Sequence, residues 1–190
     1  MYAAVPDPYC YSGTTVLINR LGFRDAAKLE AFEAEVSAER AAQPLPVGRL
    51  SYGHYRAIHR HLFQDVYAWA GKIRTVRISK GRSTFCYPEH IDREMRRLFS
   101  TLAEERYYKQ LDARTFAGKA AHLLAELNAI HLFREGNGRT QMSFLVALAE
   151  RAGHRLPLDD LDPKAMLAAT IVSFDGNEKP LADLIERAIR

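Results

Sequence analysis

The sequence predicts an all-α domain carrying one small β-hairpin. Three observations lead there: apolar residues recur at three-to-four spacing through most of the chain, one stretch switches to an alternating period, and no internal repeat or low-complexity run interrupts the pattern. With 190 residues, 47% of them hydrophobic, the chain can bury one sizeable core and is short for two large domains. A single domain over 1–190 is expected, its core at about 49–152, with an N-terminal helix and C-terminal helices packed on it.

The elements follow in order. Arg24 to Ala42 carries Ala, Leu and Phe at helical spacing among Glu and Lys, and Asp25 is placed to favour the start, which predicts a helix with a solvated face. Pro44 and Pro46 break it. Ser51 opens a second helical run through Tyr55, Ile58, Leu62, Val66 and Trp69, ended by Gly71. From Ile73 the period changes: basic residues separate Ile73, Val76 and Ile78, Ser79-Lys80-Gly81 reads as a turn, and the segment up to Cys86 completes a hairpin that Pro88 stops. Ile91 to Glu105 is helical, with Met95, Leu98 and Leu102 in one stripe. Thr115 to Ile130 is the most apolar helix and Gln141 to Ala152 nearly as apolar, so both belong to the core. A short helix follows Asp162, Asp175-Gly176-Asn177 makes a turn, and Leu181 to Ile189 is the last helix. The longest connections flank the hairpin and separate the two core helices, and function is expected there.

Lysine and arginine exceed aspartate and glutamate by 27 to 23, and the net +4 is spread along the chain. This weak basic bias suits an anionic ligand such as a nucleotide; a dedicated DNA-binding protein would show a clustered basic stripe and a reading motif, and neither is present. Cys10 and Cys86 are too few and too far apart for a disulfide framework or a four-ligand zinc site, which fits a reducing compartment. Met1 to Gly13 has no basic start followed by an apolar run, and no stretch has the apolar length to cross a bilayer. A cytoplasmic location is expected, with export by an unrecognised signal left open.

Between the two core helices stands Ile130-His131-Leu132-Phe133-Arg134-Glu135-Gly136-Asn137-Gly138-Arg139-Thr140. Gly136 and Gly138 permit backbone conformations that turn N–H groups toward a common point, Asn137 tolerates the same geometry, and the next helix adds its free N–H groups and dipole. Such a segment cradles a phosphate. Glu135 offers a carboxylate for Mg²⁺, Arg139 a planar fork for phosphate, and His131 an imidazole able to take a proton from an attacking hydroxyl. Base, metal ligand and phosphate clamp together describe phosphoryl or nucleotidyl transfer. The residues alone also permit a plainer reading, since Gly-Asn-Gly is a common turn and a histidine at a helix end often serves as a cap. Phe133, an aromatic amid polar residues, reads as an anchor holding the loop to the core.

At these residues the sequence resembles the Fic (filamentation induced by cAMP) family, whose signature runs His-x-Phe-x-Asp/Glu-Gly-Asn-Gly-Arg-x-x-Arg. The run from His131 through Arg139 matches it in order. The likeness extends to Phe63-Gln64-Asp65-Val66-Tyr67-Ala68-Trp69-Ala70-Gly71-Lys72-Ile73-Arg74, to Glu126-Leu127-Asn128-Ala129-Ile130 and to Tyr9-Cys10-Tyr11, and so covers most of the chain. The resemblance implies a compact helical core and transfer of AMP from Mg-ATP to a Tyr, Ser or Thr hydroxyl of a target protein. It implies His131 as the base and Glu135 as the Mg²⁺ ligand. It gives nucleotide contacts to Gly136, Asn137, Gly138 and Arg139, with Phe133 grouped among them. The hairpin residues Ser79, Lys80, Gly81, Arg82, Ser83, Thr84 and Phe85 match the family's flap, which docks the target as an added strand. Read without the resemblance, the hairpin is equally an exposed edge blunted by Lys80 and Arg82.

Two departures from the family pattern bear on activity. The second signature arginine is replaced by Met142, which removes a guanidinium expected on the distal phosphate and predicts weaker or misaligned ATP. The self-restraining string Ser/Thr-x-x-x-Glu-Gly/Asn is missing its last residue at both Ser100 to Glu104 and Thr101 to Glu105. With the Tyr9-Cys10-Tyr11 start, this points to the subclass held in check in trans by a small helical antitoxin. The expected activity is therefore a protein adenylyltransferase, the toxin of a toxin–antitoxin pair or an effector's catalytic domain. Its rivals are transfer of UMP, a phosphoryl group or phosphocholine, a nucleotide-binding module without turnover, and a basic nucleic-acid binder suggested only by an isoelectric point near 9.1. His54, His59 and His61 do not share one helix face and are expected to be surface or cap residues.

Overall fold

The computed structural model describes residues 7–80 and 83–190. Helix α1 spans Ala26–Ala41, α2 Tyr52–Phe63, α3 Pro88–Glu104, α4 Ala113–Ile130, α5 Asn137–Ala152, α6 Pro163–Phe174 and α7 Lys179–Ala188. Strands β1 (Ser79–Lys80) and β2 (Ser83–Thr84) pair antiparallel, with Ser79 opposite Thr84 and Lys80 opposite Ser83. The fold is helical with one small hairpin.

Polar residues at the helix starts supply acceptors that the first turn lacks. Asp25 accepts from the Lys28 N–H at 2.8 Å, Ser51 from His54 at 3.2 Å and Asp112 from Thr115 at 3.0 Å; each such cap contributes about 1 kcal/mol. Helix α4 is the centre of the bundle. Its Ala117, Ala120 and Ala121 are almost wholly buried beside Leu123, Leu124 and Leu127, and these small side chains let α3, α5, α6 and α7 approach it closely. Helix α2 packs against α5 through Tyr55, whose ring stacks on Phe133 at 5.7 Å and meets Phe144 edge-on at 5.4 Å. Helix α1 lies on α2. Among the described residues no helix is long and apolar enough to cross a membrane.

Several boundaries differ from the sequence expectation. Helix α2 stops at Phe63, not Gly71; Val66 and Tyr67 are buried through tight turns in which both their N–H groups bond to the Phe63 carbonyl, so their apolar spacing is satisfied off the helix. Gly71 closes these turns at φ 78°, where a Cβ would stand 3.0 Å from the Arg56 carbonyl. Ser79 and Lys80, expected as a turn, form a strand, and Ile73, Val76 and Ile78 precede it. Gly81 and Arg82 lie outside the described residues. Pro88 starts a helix instead of merely stopping a strand, because a proline in the first turn forfeits no hydrogen bond. Helix α5 begins at Asn137, four residues before its apolar run, so Gly138 and Arg139 sit in its first turn.

Candidate active site

The bend joining α4 to α5 is built from the inside outward. Phe133 is wholly buried between Tyr55 and His59, its ring centroid 3.6 Å from the imidazole. The Asn137 side chain closes the bend, its Oδ1 accepting from Phe133 N–H at 2.9 Å and its Nδ2 donating to the Phe133 carbonyl at 2.8 Å. Phe133 is therefore an anchor with no open face for a nucleotide, and the Asn137 amide is turned inward, leaving only its backbone to the cleft. His59 holds the next residue. Its Nδ1 accepts from Gly71 N–H at 2.8 Å, so Nε2 carries the proton and donates to the Glu135 carbonyl at 2.9 Å. Burial lowers the His59 pKa to about 3, keeping it neutral. The expectation of a surface or cap role fails for His59, whereas His54 does act as a cap, its Nδ1 accepting from Leu50 N–H at 3.1 Å.

Gly136 is required on two grounds: its φ is 81°, and a Cβ would fall 2.4 Å from the Phe63 ring. Gly138 has ordinary helical backbone, contrary to the special conformation expected, and a Cβ there would meet nothing within 4 Å. The open space over Gly138 and the free N–H groups of the first turn of α5 form a cradle suited to an anion.

His131 caps α4 in the left-handed region, at φ 51° and ψ 64°. Phe85 stacks on its imidazole with centroids 3.9 Å apart, and Phe174 of α6 meets Phe85 edge-on at 5.8 Å. Phe85, expected on the target-docking face, is 8% exposed and faces the histidine instead. Burial lowers the His131 pKa to about 4; the Arg74 and Lys80 charges push the same way, and the Asn128 carbonyl opposes them without a hydrogen bond of ordinary geometry to the buried Nδ1. At neutral pH the imidazole is uncharged, the state a general base must occupy.

Glu135 has a half-exposed side chain whose Oε1 accepts from Gly136 N–H at 2.8 Å. Among the described residues no group of three or more His, Cys, Asp or Glu comes together. A single carboxylate beside an anion cradle fits Mg²⁺, which keeps waters and shares phosphate oxygens, and does not fit an all-protein metal cage. Arg139 lies over the Phe63 ring at 4.6 Å, donates to Ser37 Oγ at 2.8 Å and pairs with Glu33 of α1, which also accepts from the Tyr67 hydroxyl. A phosphate reaching Arg139 must share or displace Glu33. Nothing in the local sequence joins residues so far apart.

The residue that sequence reasoning missed most fully is Arg74. It is 1% exposed and has no carboxylate partner among the described residues. Its guanidinium donates instead to the carbonyls of His131 at 2.7 Å, Val76 at 2.6 Å, Cys86 at 2.5 Å and Ile130 at 3.3 Å. One side chain thus satisfies the last carbonyls of α4 and ties both arms of the hairpin to the α4–α5 bend. Ser79, Lys80 and Thr84 remain exposed beyond it.

A Fic/DOC family profile matches residues 49–149. The chain belongs to the Fic/DOC family. This Fic protein is 50% identical over 189 residues to the probable protein adenylyltransferase y4lH of Sinorhizobium fredii, covering 99% of this chain and 98% of that one. It is 38% identical to the protein adenylyltransferase VbhT of Bartonella schoenbuchensis across 98% of this chain, which spans 40% of that protein's length. Among solved structures, the N-terminal Fic domain of a VirB-translocated effector from Bartonella quintana, with bound ADP, superposes with a TM-score of 0.87 at 27% identity, covering 96% of this chain and 94% of that one. BepC of Bartonella tribocorum, with bound AMPPNP, gives 0.86 at 28% identity and 96% coverage of each chain. The Fic signature run in this chain is the bend described above.

Proposed function

We propose that this chain is a protein adenylyltransferase that moves AMP from Mg-ATP to a side-chain hydroxyl of a target protein. The observation that carries the reading is the neutral, half-buried His131 in the same bend as the open amide cradle of the first turn of α5. The N–H groups at the start of α5 hold the α- and β-phosphates, and Arg139 reaches the β-phosphate once it parts from Glu33. Glu135 would hold Mg²⁺, which would offset phosphate charge. The target hydroxyl enters along the exposed edge of β1, at Ser79 and Lys80. His131 Nε2 takes its proton as the oxygen attacks the α-phosphorus; the new O–P bond forms, the bond to the β-phosphate oxygen breaks, and pyrophosphate leaves. A bound triphosphate stabilises the imidazolium and so raises the pKa of the base from its resting value.

Met142, half-buried against the core, supports a weakened grip on the distal phosphate. Met142→Arg is expected to lower the KM for ATP; no gain in a weak enzyme would reject the missing-clamp account. The resemblance also supports a toxin restrained by a small helical antitoxin. Harmless expression of an active chain without any partner would remove that need. The transfer itself is tested by intact mass: lysate proteins incubated with the chain and Mg-ATP gain one AMP, whereas a UMP, phosphoryl or phosphocholine increment would reassign the donor.

A further inference from the structure

A cleft of about 890 Å³ opens on the side of α2 turned away from the core, walled opposite by the 64–72 turns. Its rim carries Arg20, Arg56, Arg60 and Lys72. Asp65 is the one carboxylate in the lining, and it is already paired with Arg40 at 2.6 Å. None of the four cations forms an ion pair among the described residues. Like charges gathered around one cavity repel one another and raise its affinity for an anion.

The shape selects among anions. Arg56 and Arg60 stand one turn apart on α2, with Arg56 Nε donating to the Gly71 carbonyl at 2.9 Å on the facing wall; beside them Gly53 and Ala57 repeat the same spacing, so a second backbone can approach α2 closely along that small-residue row. The lined face of α2 with its cap residue, from Gly53 to Gln64, is about 16 Å long, or three helical turns. A nucleotide would need a stacking face, but the one aromatic in the lining, Tyr67, is 1% exposed with its ring stacked on Trp69 at 4.3 Å. We infer that this cleft is a docking surface for an acidic helical segment of another protein, whose carboxylates pair with Arg56 and Arg60 across the Gly53–Ala57 floor. The surface uses no side chain of the catalytic bend, so it stands apart from nucleotidyl transfer.

The test is an NMR titration of the ¹⁵N-labelled full chain with an alanine-based helical peptide carrying glutamates at i and i+4. The amides of Gly53, Ala57 and Gly71 are expected to shift and saturate, with affinity falling as salt is raised. Glutamine in place of the glutamates, or the exposed pair Arg60→Glu and Lys72→Glu, is expected to weaken binding about tenfold or more, equivalent to about 1.4 kcal/mol. Arg56→Ala supplies a second, milder variant. Equal binding of the glutamine peptide, absence of shifts, or shifts produced by sodium pyrophosphate and not by the peptide would each overturn the inference, the last by making the cleft a small-anion site.

Discussion

The bend at 131–139 and the hairpin strands β1 and β2 flank one another around Arg74, yet they are made of opposite materials. The bend is braced from beneath by buried, paired polar groups: Asn137 grips Phe133, His59 grips Glu135, and Thr140 Oγ1 donates to the Gly136 carbonyl at 2.8 Å. The hairpin has two residue pairs and an exposed edge, and its fixed points lie at its base, where Arg74 holds Val76 and Cys86 and the Cys86 N–H reaches the Ala129 carbonyl at 3.0 Å. The difference suits the tasks proposed for the two regions. Phosphate and base must be held within a fraction of an ångström, whereas an edge that accepts a target strand gains from being easily deformed.

If that contrast is right, the largest effect belongs to the group that joins the two regions. Arg74→Met takes the guanidinium from four buried or part-buried carbonyls and is expected to cost about 3–5 kcal/mol in urea unfolding, with loss of hydrogen-exchange protection in both bend and hairpin. Acid comes next and strikes the bend. His59 and His131 have folded pKa values of about 3 and 4, below the ordinary value near 6.5. The unfolded chain therefore binds protons first as pH falls: stability is full above about pH 6.5 and declines below it by up to about 1.4 kcal/mol per pH unit for each histidine. Unfolding at pH 7 and pH 5 should differ by roughly 2–4 kcal/mol, and His59→Gln should flatten the dependence. Gly136→Ala, which forces a Cβ into Phe63 at positive φ, is expected to cost about 2 kcal/mol and most of the nucleotide affinity. The smallest effect falls on the hairpin. Lys80→Ala should shift the Tm by less than about 2 °C. It should nonetheless raise the KM for the target and move the acidic limb of the pH–rate profile upward, because a charge that disfavours the imidazolium is gone.

What was legible in the sequence tracks what is local. The Asp25 cap, the apolar stripes of α3 to α5 and the run from His131 to Arg139 are short-range patterns, and the helical core with its hairpin follows from them. Helix ends were less legible where apolar spacing continues past the helix, as at Val66, or where a helix opens with polar residues, as at Asn137. Buried polar groups were not legible. Arg74 reads as the outward residue of a strand and His59 as a surface or cap residue, because periodicity assigns polar side chains to solvent and their partners are main-chain groups, which every residue has. The Glu33–Arg139 pair bridges α1 and α5 and leaves no local trace.

The most direct measurement compares wild-type chain and His131→Ala, each given Mg-ATP and the same target, with nucleotide binding and mass gain read in parallel. Equal ATP binding with transfer reduced by about 10²–10⁴-fold is expected when the imidazole serves as the base. Transfer of AMP at the wild-type rate by His131→Ala would contradict it.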